Sequence, residues 1–270
     1  MNFKKLKFVV LILLLLIVTD ICFDVNFPKV EKSVVKSDKI QDKNLSLKIL
    51  QLSDVHGYNK QDFILKTVND NKPDIIVITG DMIDKRTNNY DAMVRLSKEL
   101  IKLNPNVYFV SGNHEDWNAK GEEFVNVLRR KNIKVINNSN TYFIKDSIKF
   151  NICGIDDYYS GRDDLNKAFE GINDRSYTTI LLSHSPKIID RIENIKADLI
   201  LSGHEHGGQV RLPFIGALIA PGEGLFSKYS KGFYYFNNTV LYVDSGLGTS
   251  VLPIRFLNRS QISLIEIKAE

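Results

Sequence analysis

Five short apolar segments, each stopping at an acid, an amide or a histidine, constrain this chain more than anything else in it. Residues 47–52 run into Ser53-Asp54-Val55-His56, and residues 74–79 into Gly80-Asp81. Residues 106–110 run into Ser111-Gly112-Asn113-His114, 178–182 into Ser183-His184, and 198–201 into Ser202-Gly203-His204-Glu205-His206. All 5 histidines of the chain lie inside these motifs, so none is left for ordinary core or surface duty. A brief apolar run closed by turn formers reads as a strand buried on both faces, as a parallel sheet requires. Loops at the ends of such strands carry little packing duty while the strands hold them rigidly, so ligands collect there. The spacing predicts a centre assembled at strand ends.

Between these strands the apolar period changes. Residues 61–69 place Phe63, Ile64 and Val68 on one helical face, and further helices are predicted over 91–103, 122–131, 164–169 and 186–195. Additional strands are predicted at 133–136, 142–145 and 148–152, and beyond Gly208 at 209–212, 232–236, 239–243 and 262–267. Strand, ligand-type residue and helix in alternation predict an α/β body with mixed sheets inside and helices outside.

The 270 residues suffice for one large domain or two small ones, and 43% hydrophobic with 25% charged residues is ordinary globular composition. The net charge of +4 comes from one end: through Lys48 there are nine lysines and five acids, and the remainder is neutral. A neutral body offers no bulk attraction for a polynucleotide, so no nucleic acid is indicated as a partner. Cys22 lies in an apolar leader and Cys153 in a predicted strand, which leaves no pair for a disulfide or a thiolate metal site.

Lys4, Lys5 and Lys7 precede an uninterrupted apolar run over 8–18 that continues through Ile21, Cys22 and Phe23. Lysines ahead of such a run stay cytoplasmic, so the rest of the chain is expected on the outer face of the cell membrane. No alanine occurs before Ala92, and a cleavage site for a signal peptide needs small residues, so an uncleaved single-pass anchor is expected; a cleaved, secreted form is the alternative. Residues 24–44, rich in Lys, Asp, Ser and Val without clear period, read as a solvated tether. The expected division is 1–23 membrane anchor or signal segment, 24–44 tether and 45–270 catalytic domain.

Seven side chains at the strand ends are good metal donors: Asp54, His56, Asp81, Asn113, His184, His204 and His206. Carboxylate, amide oxygen and imidazole without sulfur suit Mn2+, Fe2+ or Zn2+ better than Ca2+, which prefers oxygen alone. Seven donors are too many for one tetrahedral ion, whereas two divalent ions about 3.5 to 4 Å apart with one shared carboxylate would use them all. Asp81, behind Ile75-Ile76-Val77-Ile78, is the carboxylate best placed for sharing. Plainer readings explain less. Asp54 and Asp81 each suit a helix cap after a strand, but capping leaves the neighbouring histidines unexplained. Ser183, Ser185 and Ser245 lack both a Gly-x-Ser-x-Gly setting and a spare histidine. Gly80, Gly112 and Gly203 read as turn formers.

In this order, Asp-x-His, Gly-Asp, Gly-Asn-His, a lone His and Gly-His-x-His resemble the signature of the calcineurin-like metallophosphoesterases, over about residues 47–243. The resemblance implies a four-layer sandwich, two mixed β-sheets flanked by helices. It implies Asp54, His56 and His206 on one metal, Asn113, His184 and His204 on the other, Asp81 bridging, and His114 as a catalytic group that is not a ligand. Residues 202–209, the leader, and residues 242–249 with Pro253-Ile254-Arg255 resemble a bacterial, membrane-associated branch that includes YkuE- and YaeI-type phosphoesterases. Glu205, where that branch commonly has Thr, and Arg259-Ser260-Gln261, where it tends to have Arg-Pro-Glu, depart from the pattern away from any donor and are expected to bear on substrate choice.

The chemistry expected follows from charge. Two cations neutralise phosphoryl oxygens and lower the pKa of a bridging water, so that hydroxide is available in line with the leaving oxygen. His114, next to Asn113, is placed to stabilise developing charge or to protonate the leaving alkoxide. The function expected is hydrolysis of a small or lipid-linked phosphate ester at the membrane surface. A nucleotide or nucleic-acid phosphodiesterase with the same centre, and an inactive membrane-bound metal-binding scaffold, are the alternatives. Residues 212–229, apolar and glycine-containing, are expected to pack inward, with a lipid-facing rim as the alternative. Tyr158, Tyr159 and Arg162 form a loop that is a candidate grip for a head group or phosphate.

Overall fold

Fifteen strands are found among the described residues of a computed structural model, which describes residues 2–220, 224–249 and 253–270. They are β1 (Lys29–Ser37), β2 (Ser46–Leu52), β3 (Ile75–Thr79), β4 (Val107–Val110), β5 (Lys134–Val135), β6 (Ser139–Lys145), β7 (Ile148–Gly154), β8 (Thr178–Leu182), β9 (Leu199–Ser202), β10 (Val210–Leu212), β11 (Gly216–Ala220), β12 (Gly224–Leu225), β13 (Gly232–Phe236), β14 (Thr239–Val243) and β15 (Gln261–Ala269). The helices are α1 (Phe3–Asn26), α2 (Gln61–Asn71), α3 (Asp91–Leu103), α4 (Asn113–Trp117), α5 (Gly121–Arg130) and α6 (Leu165–Ala168).

One six-stranded sheet has the order β1-β15-β2-β3-β4-β5, the other β13-β14-β9-β8-β7-β6. Each has a parallel centre, β2 to β5 and β14 to β7, with antiparallel partners in β15, β13 and β6. Because successive side chains point to opposite faces, each strand feeds two layers of core. Leu47, Ile49 and Val77 meet Ile180, Leu182 and Leu199 between the sheets. Leu50, Ile76 and Phe109 pack outward on Ile64, Leu96 and Phe124 of α2, α3 and α5. On the far side Leu181, Ile200 and Leu241 pack on Phe169, Ile188 and Ile189. Helix, sheet, sheet, helix is the four-layer mixed α/β arrangement, and it covers both faces of the parallel strands.

Four features differ from the sequence reading. Residues 24–44 are not a free tether: β1 pairs in parallel with β15 along all nine residues, from Lys29↔Gln261 to Ser37↔Ala269. Its Lys29, Glu31, Lys32 and Lys36 obscure the apolar alternation, and charges of this kind suit an edge strand that must not pair with another chain. Lys39 then reaches Asp198 at 2.7 Å, tying the segment to the other sheet. The leader forms one helix of 24 residues, longer than its apolar run, because Asp20 and Asp24 find backbone partners at its end. The predicted helix at 186–195 is a 3-10 segment, Pro186–Asn194, with Arg191 at a non-helical φ of −108° as its guanidinium turns out to Asp163. Finally, residues 212–229, of which 221–223 lie outside the described residues, do not pack inward; β10, β11 and β12 make a small separate sheet.

Candidate metal centre

The parallel centres of both sheets end at one place, and that is where the seven donors meet. His56 Nε2 lies 3.2 Å from His206 Nε2, which is 3.4 Å from Asp54 Oδ1. His184 Nε2 lies 3.2 Å from His204 Nδ1, and Asn113 Oδ1 is 3.1 and 2.9 Å from these two nitrogens. Asp81 Oδ2 joins the two groups, 3.7 Å from His56 Nε2 and 3.3 Å from His184 Nε2. Donors bound at 2.0–2.2 Å to one ion stand roughly 3–3.5 Å from each other, so these spacings fit a cation within each group. Asp54, Asp81 and His184 are at most 1% exposed, which removes water as the partner that such lone pairs need.

Local backbone geometry makes the convergence. Asp54, His56, Asp81, His204 and His206 all have φ between 47° and 71°, a region sparsely populated by residues with a Cβ and a mark of functional loops. Two glycines allow the close approach: a Cβ at Gly80 would lie 2.6 Å from His184 Nδ1, and one at Gly203 would lie 1.8 Å from Ser53 Oγ.

Fixed partners orient the donors. The Nδ1–H of His184 donates to Thr79 O at 2.7 Å, which turns Nε2 toward Asp81 Oδ2. Ser53 Oγ donates to Asp54 Oδ2 at 2.6 Å, and His204 N donates to both oxygens of Asp54. Asp81 Oδ1 accepts from His114 N at 2.9 Å, leaving Oδ2 for the cluster. The His114 ring stands beside the donors without joining them, with Nε2 4.0 Å from Asp81 Oδ2. Its Nδ1 accepts from Lys85 N at 3.0 Å and lies 3.2 Å from Asp84 Oδ2.

Burial and charge divide the titrations. Burial pushes His56 down to about 4 and His204 to about 3, and it also holds His206 well below the usual imidazole range, so these rings offer lone pairs. Burial also opposes a charge on His184, but the Asp81 and Asp54 carboxylates outweigh it and raise that ring well above the usual imidazole range, so a cation bound there would have to displace its Nε2 proton. Burial opposes ionisation of Asp81 too, and His184 with its neighbours reverses the effect. Asp54 is pushed up to about 6, chiefly by burial. Carboxylates beside three neutral imidazoles, with a fourth ring whose proton a cation can displace, are donors that divalent cations use.

Several residues that shape the site were not read from the sequence. Glu115 accepts from Asp81 N at 2.8 Å and Gly112 N at 2.9 Å through Oε2, and from Ile83 N at 3.2 Å through Oε1. Its position three residues after the Gly112 N-cap is the sequence signal for such a capping role. Asp84 has no motif signal. Arg255, fully buried, donates to Ser245 O, Gly246 O, Gly248 O and His206 O, and Asn258 Nδ2 donates to His206 O at 2.6 Å. The sequence pointed to Arg255 only through the resemblance carried by Pro253-Ile254-Arg255, which gave it no role. Of the candidate grip loop, Tyr159 lies ring to ring with His204 at 4.7 Å, while Arg162 pairs with Asp116 and Asp156. Arg259, expected to bear on substrate, instead donates to Phe27 O and Pro28 O beyond the end of α1.

The family description "Calcineurin-like phosphoesterase" matches residues 47–208, which include every donor. The chain is 32% identical over 247 residues to the uncharacterized metallophosphoesterase YkuE of Bacillus subtilis (strain 168), covering 87% of this chain and 84% of that protein. It is 31% identical over 245 residues to a transmembrane protein with metallophosphoesterase domain of Bos taurus, covering 83% of this chain and 53% of that protein. A solved structure, the NAD nucleotidase of Haemophilus influenzae, shares the fold with a TM-score of 0.52 at 16% identity, over 75% of this chain and 46% of that one. The chain belongs to the calcineurin-like phosphoesterase family and is a phosphoester hydrolase.

Proposed function

We propose that the chain is a dinuclear metal-dependent phosphoesterase, held in the cell membrane by α1 with its catalytic body on the outer face, and that it hydrolyses a small or lipid-linked phosphate ester. The observation that carries the chemistry is the sharing of Asp81 Oδ2 between two groups of donors. In this reading Asp54, His56 and His206 would hold one ion and Asn113, His184 and His204 the other, with Asp81 shared between the two groups. Two divalent ions, when bound, supply charge neutralisation for the phosphoryl oxygens and an acidified water for attack.

The chain's own groups supply the rest. Lys85 N donates to His114 Nδ1, which places an N–H on Nε2, the nitrogen that faces the cluster. That N–H is placed to donate a hydrogen bond to the leaving oxygen and so stabilise the charge that develops there. Tyr159, against His204, forms an apolar wall that limits water at the reacting phosphorus. For the anchor, the 24 residues of α1 rise about 36 Å, enough for a hydrocarbon layer of about 30 Å. The name of the bovine relative supports the same placement.

The test uses the full chain, reconstituted and loaded with Mn2+. Asp81→Ala is expected to lose bound metal, read by mass spectrometry, together with turnover of an aryl phosphate. An active wild type beside an equally active Asp81→Ala variant would remove the dinuclear reading. A panel of lipid phosphates, nucleotides and single-stranded DNA then sorts substrate class.

A further inference from the structure

The small sheet that follows the metal motif turns its apolar residues outward. Phe214 is 108% exposed, Ile215 60%, Leu225 65% and Phe226 61%. The root of the hairpin is nonetheless firmly seated. Gly208 packs so closely on Ala217 that a Cβ there would lie 2.2 Å from the Ala217 Cβ, and Arg211 NH1 donates to Gly207 O at 2.7 Å. Lone exposed apolar residues are ordinary, but a cluster of large ones on a fixed element marks an interaction surface.

Continuity and charge identify what lies against it. Arg211 N donates to Phe256 O at 3.0 Å and Phe256 N to Gln209 O at 2.9 Å, which joins the hairpin root to residue 256. The residues that follow seat the end of α1: Leu257 N donates to Asp20 Oδ2 at 2.9 Å, Asn258 N to Asp24 Oδ2 at 2.5 Å and Ser260 N to Asp24 O at 2.9 Å. Hairpin and anchor therefore share one segment, 256–260. Cations surround the junction. Arg259 lies over the Phe23 ring at 4.7 Å, Lys60 over the Phe27 ring at 5.6 Å, and Lys228 is exposed just past Phe226. Large apolar side chains bordered by Lys and Arg suit an anionic lipid surface, where the former enter the acyl boundary and the latter meet head groups.

We propose that the β10–β12 hairpin rests on the same bilayer that α1 crosses, with Phe214, Ile215, Leu225 and Phe226 in its outer acyl layer and Lys60, Lys228 and Arg259 on anionic head groups. This rests on the reading of α1 as a membrane helix and deepens it. β10 begins just past His206, so a seated hairpin holds the donor cluster at the membrane plane, and the ester drawn to it is a lipid phosphoester whose phosphate lies at head-group level.

The experiment places tryptophan in the full chain, at Phe214→Trp and at Phe226→Trp, in vesicles of phosphatidylglycerol and phosphatidylcholine brominated along their acyl chains. Tyr142→Trp, exposed on edge strand β6, is the control. The expected result is a shift of the added emission to shorter wavelength and its loss to bromine at 214 and 226, above the Trp117 background, with water-like emission at 142. A chain that resists carbonate extraction but shows equal water exposure at all three positions would overturn the docking and leave the anchor standing. Extraction of the wild type by carbonate would overturn anchor and docking together. Shielding at 214 and 226 that ignores bromine and fades on dilution would assign the face to a second copy of this chain and overturn the proposal.

Discussion

Glu115 has no place in a count of donors, yet both of its oxygens accept backbone amides that shape the turn carrying Asp81. Burial pushes its carboxyl up to about 8, so a neutral amide is a close substitute for it. Glu115→Gln is expected to keep the fold and most of the metal, whereas Glu115→Ala strands three buried N–H groups at a cost of about 1–3 kcal/mol each. Thermal melts with metal titration check this, and equal behaviour of the two variants would remove Glu115 as a brace. His114 is the opposite kind of residue. His114→Ala is expected to keep its metal and lose about 10²- to 10³-fold in turnover, the usual range for a positioned hydrogen-bond donor to developing charge; metal analysis beside turnover on one preparation decides. The residues that converge, such as Asn113 and His204, were legible because they sit in short contiguous motifs. Glu115, Asp84, Arg255 and Asn258 were not, because their partners are mostly amides or carbonyls brought near only by the fold.

At the scale of elements, segment 256–260 does two jobs. It receives the end of α1, and through Asn258, with Arg255 just ahead of the segment, it fixes the carbonyl of His206, whose backbone sits at φ 49°. Asn258→Ala is expected to weaken metal binding on the Asp54, His56 and His206 side before the other, which stepwise titration by calorimetry would resolve; equal weakening of both sides would argue for general destabilisation. Lys231 braces the same Asn258 from below, its Nζ 3.3 Å from Oδ1. Burial, with help from nearby cations, pushes Lys231 down to about 8. Above that pH the unfolded chain still binds this proton while the folded chain has released it, so stability rises as pH goes from about 8 toward the unfolded value near 10.4. Below about 8 both states hold the proton and the penalty is constant. The stability of the wild type relative to Lys231→Met should therefore improve between these limits, as chemical denaturation at each pH would show. Strand and helix signals were read well where apolar period and burial agree, as in α3 and β8, whose limits match the predicted 91–103 and 178–182. They failed at β1, β11 and β12, because an edge strand is charged and an outward hairpin is apolar, which inverts the inside-outside rule on which the reading depends.

Over the whole molecule the two ends of the chain close one sheet. β1 lies beside β15, and β15 separates it from β2, so the first strand of the sequence becomes an edge only after the last has been placed. Removing residues 1–44 strips that edge, uncovers the β15 ladder from Gln261 to Ala269, and breaks the Lys39 pairing with Asp198 and the contact of Ser37 Oγ with Thr178 Oγ1 at 3.0 Å. Removing residues 1–26 keeps all of these but takes Asp20 and Asp24 from three amides of 257–260. The longer deletion is expected to cost several kcal/mol out of the roughly 5–15 kcal/mol that holds a domain together, and to expose a strand edge that promotes aggregation. The shorter deletion should melt closer to the full chain while binding metal more weakly at the His206 side. Scanning fluorimetry and metal analysis on the two truncations separate the effects. If the chain from residue 45 onward melts as high as the chain from residue 27 onward and stays monomeric, β1 contributes nothing to the fold, and residues 27–44 are dispensable to the body that follows.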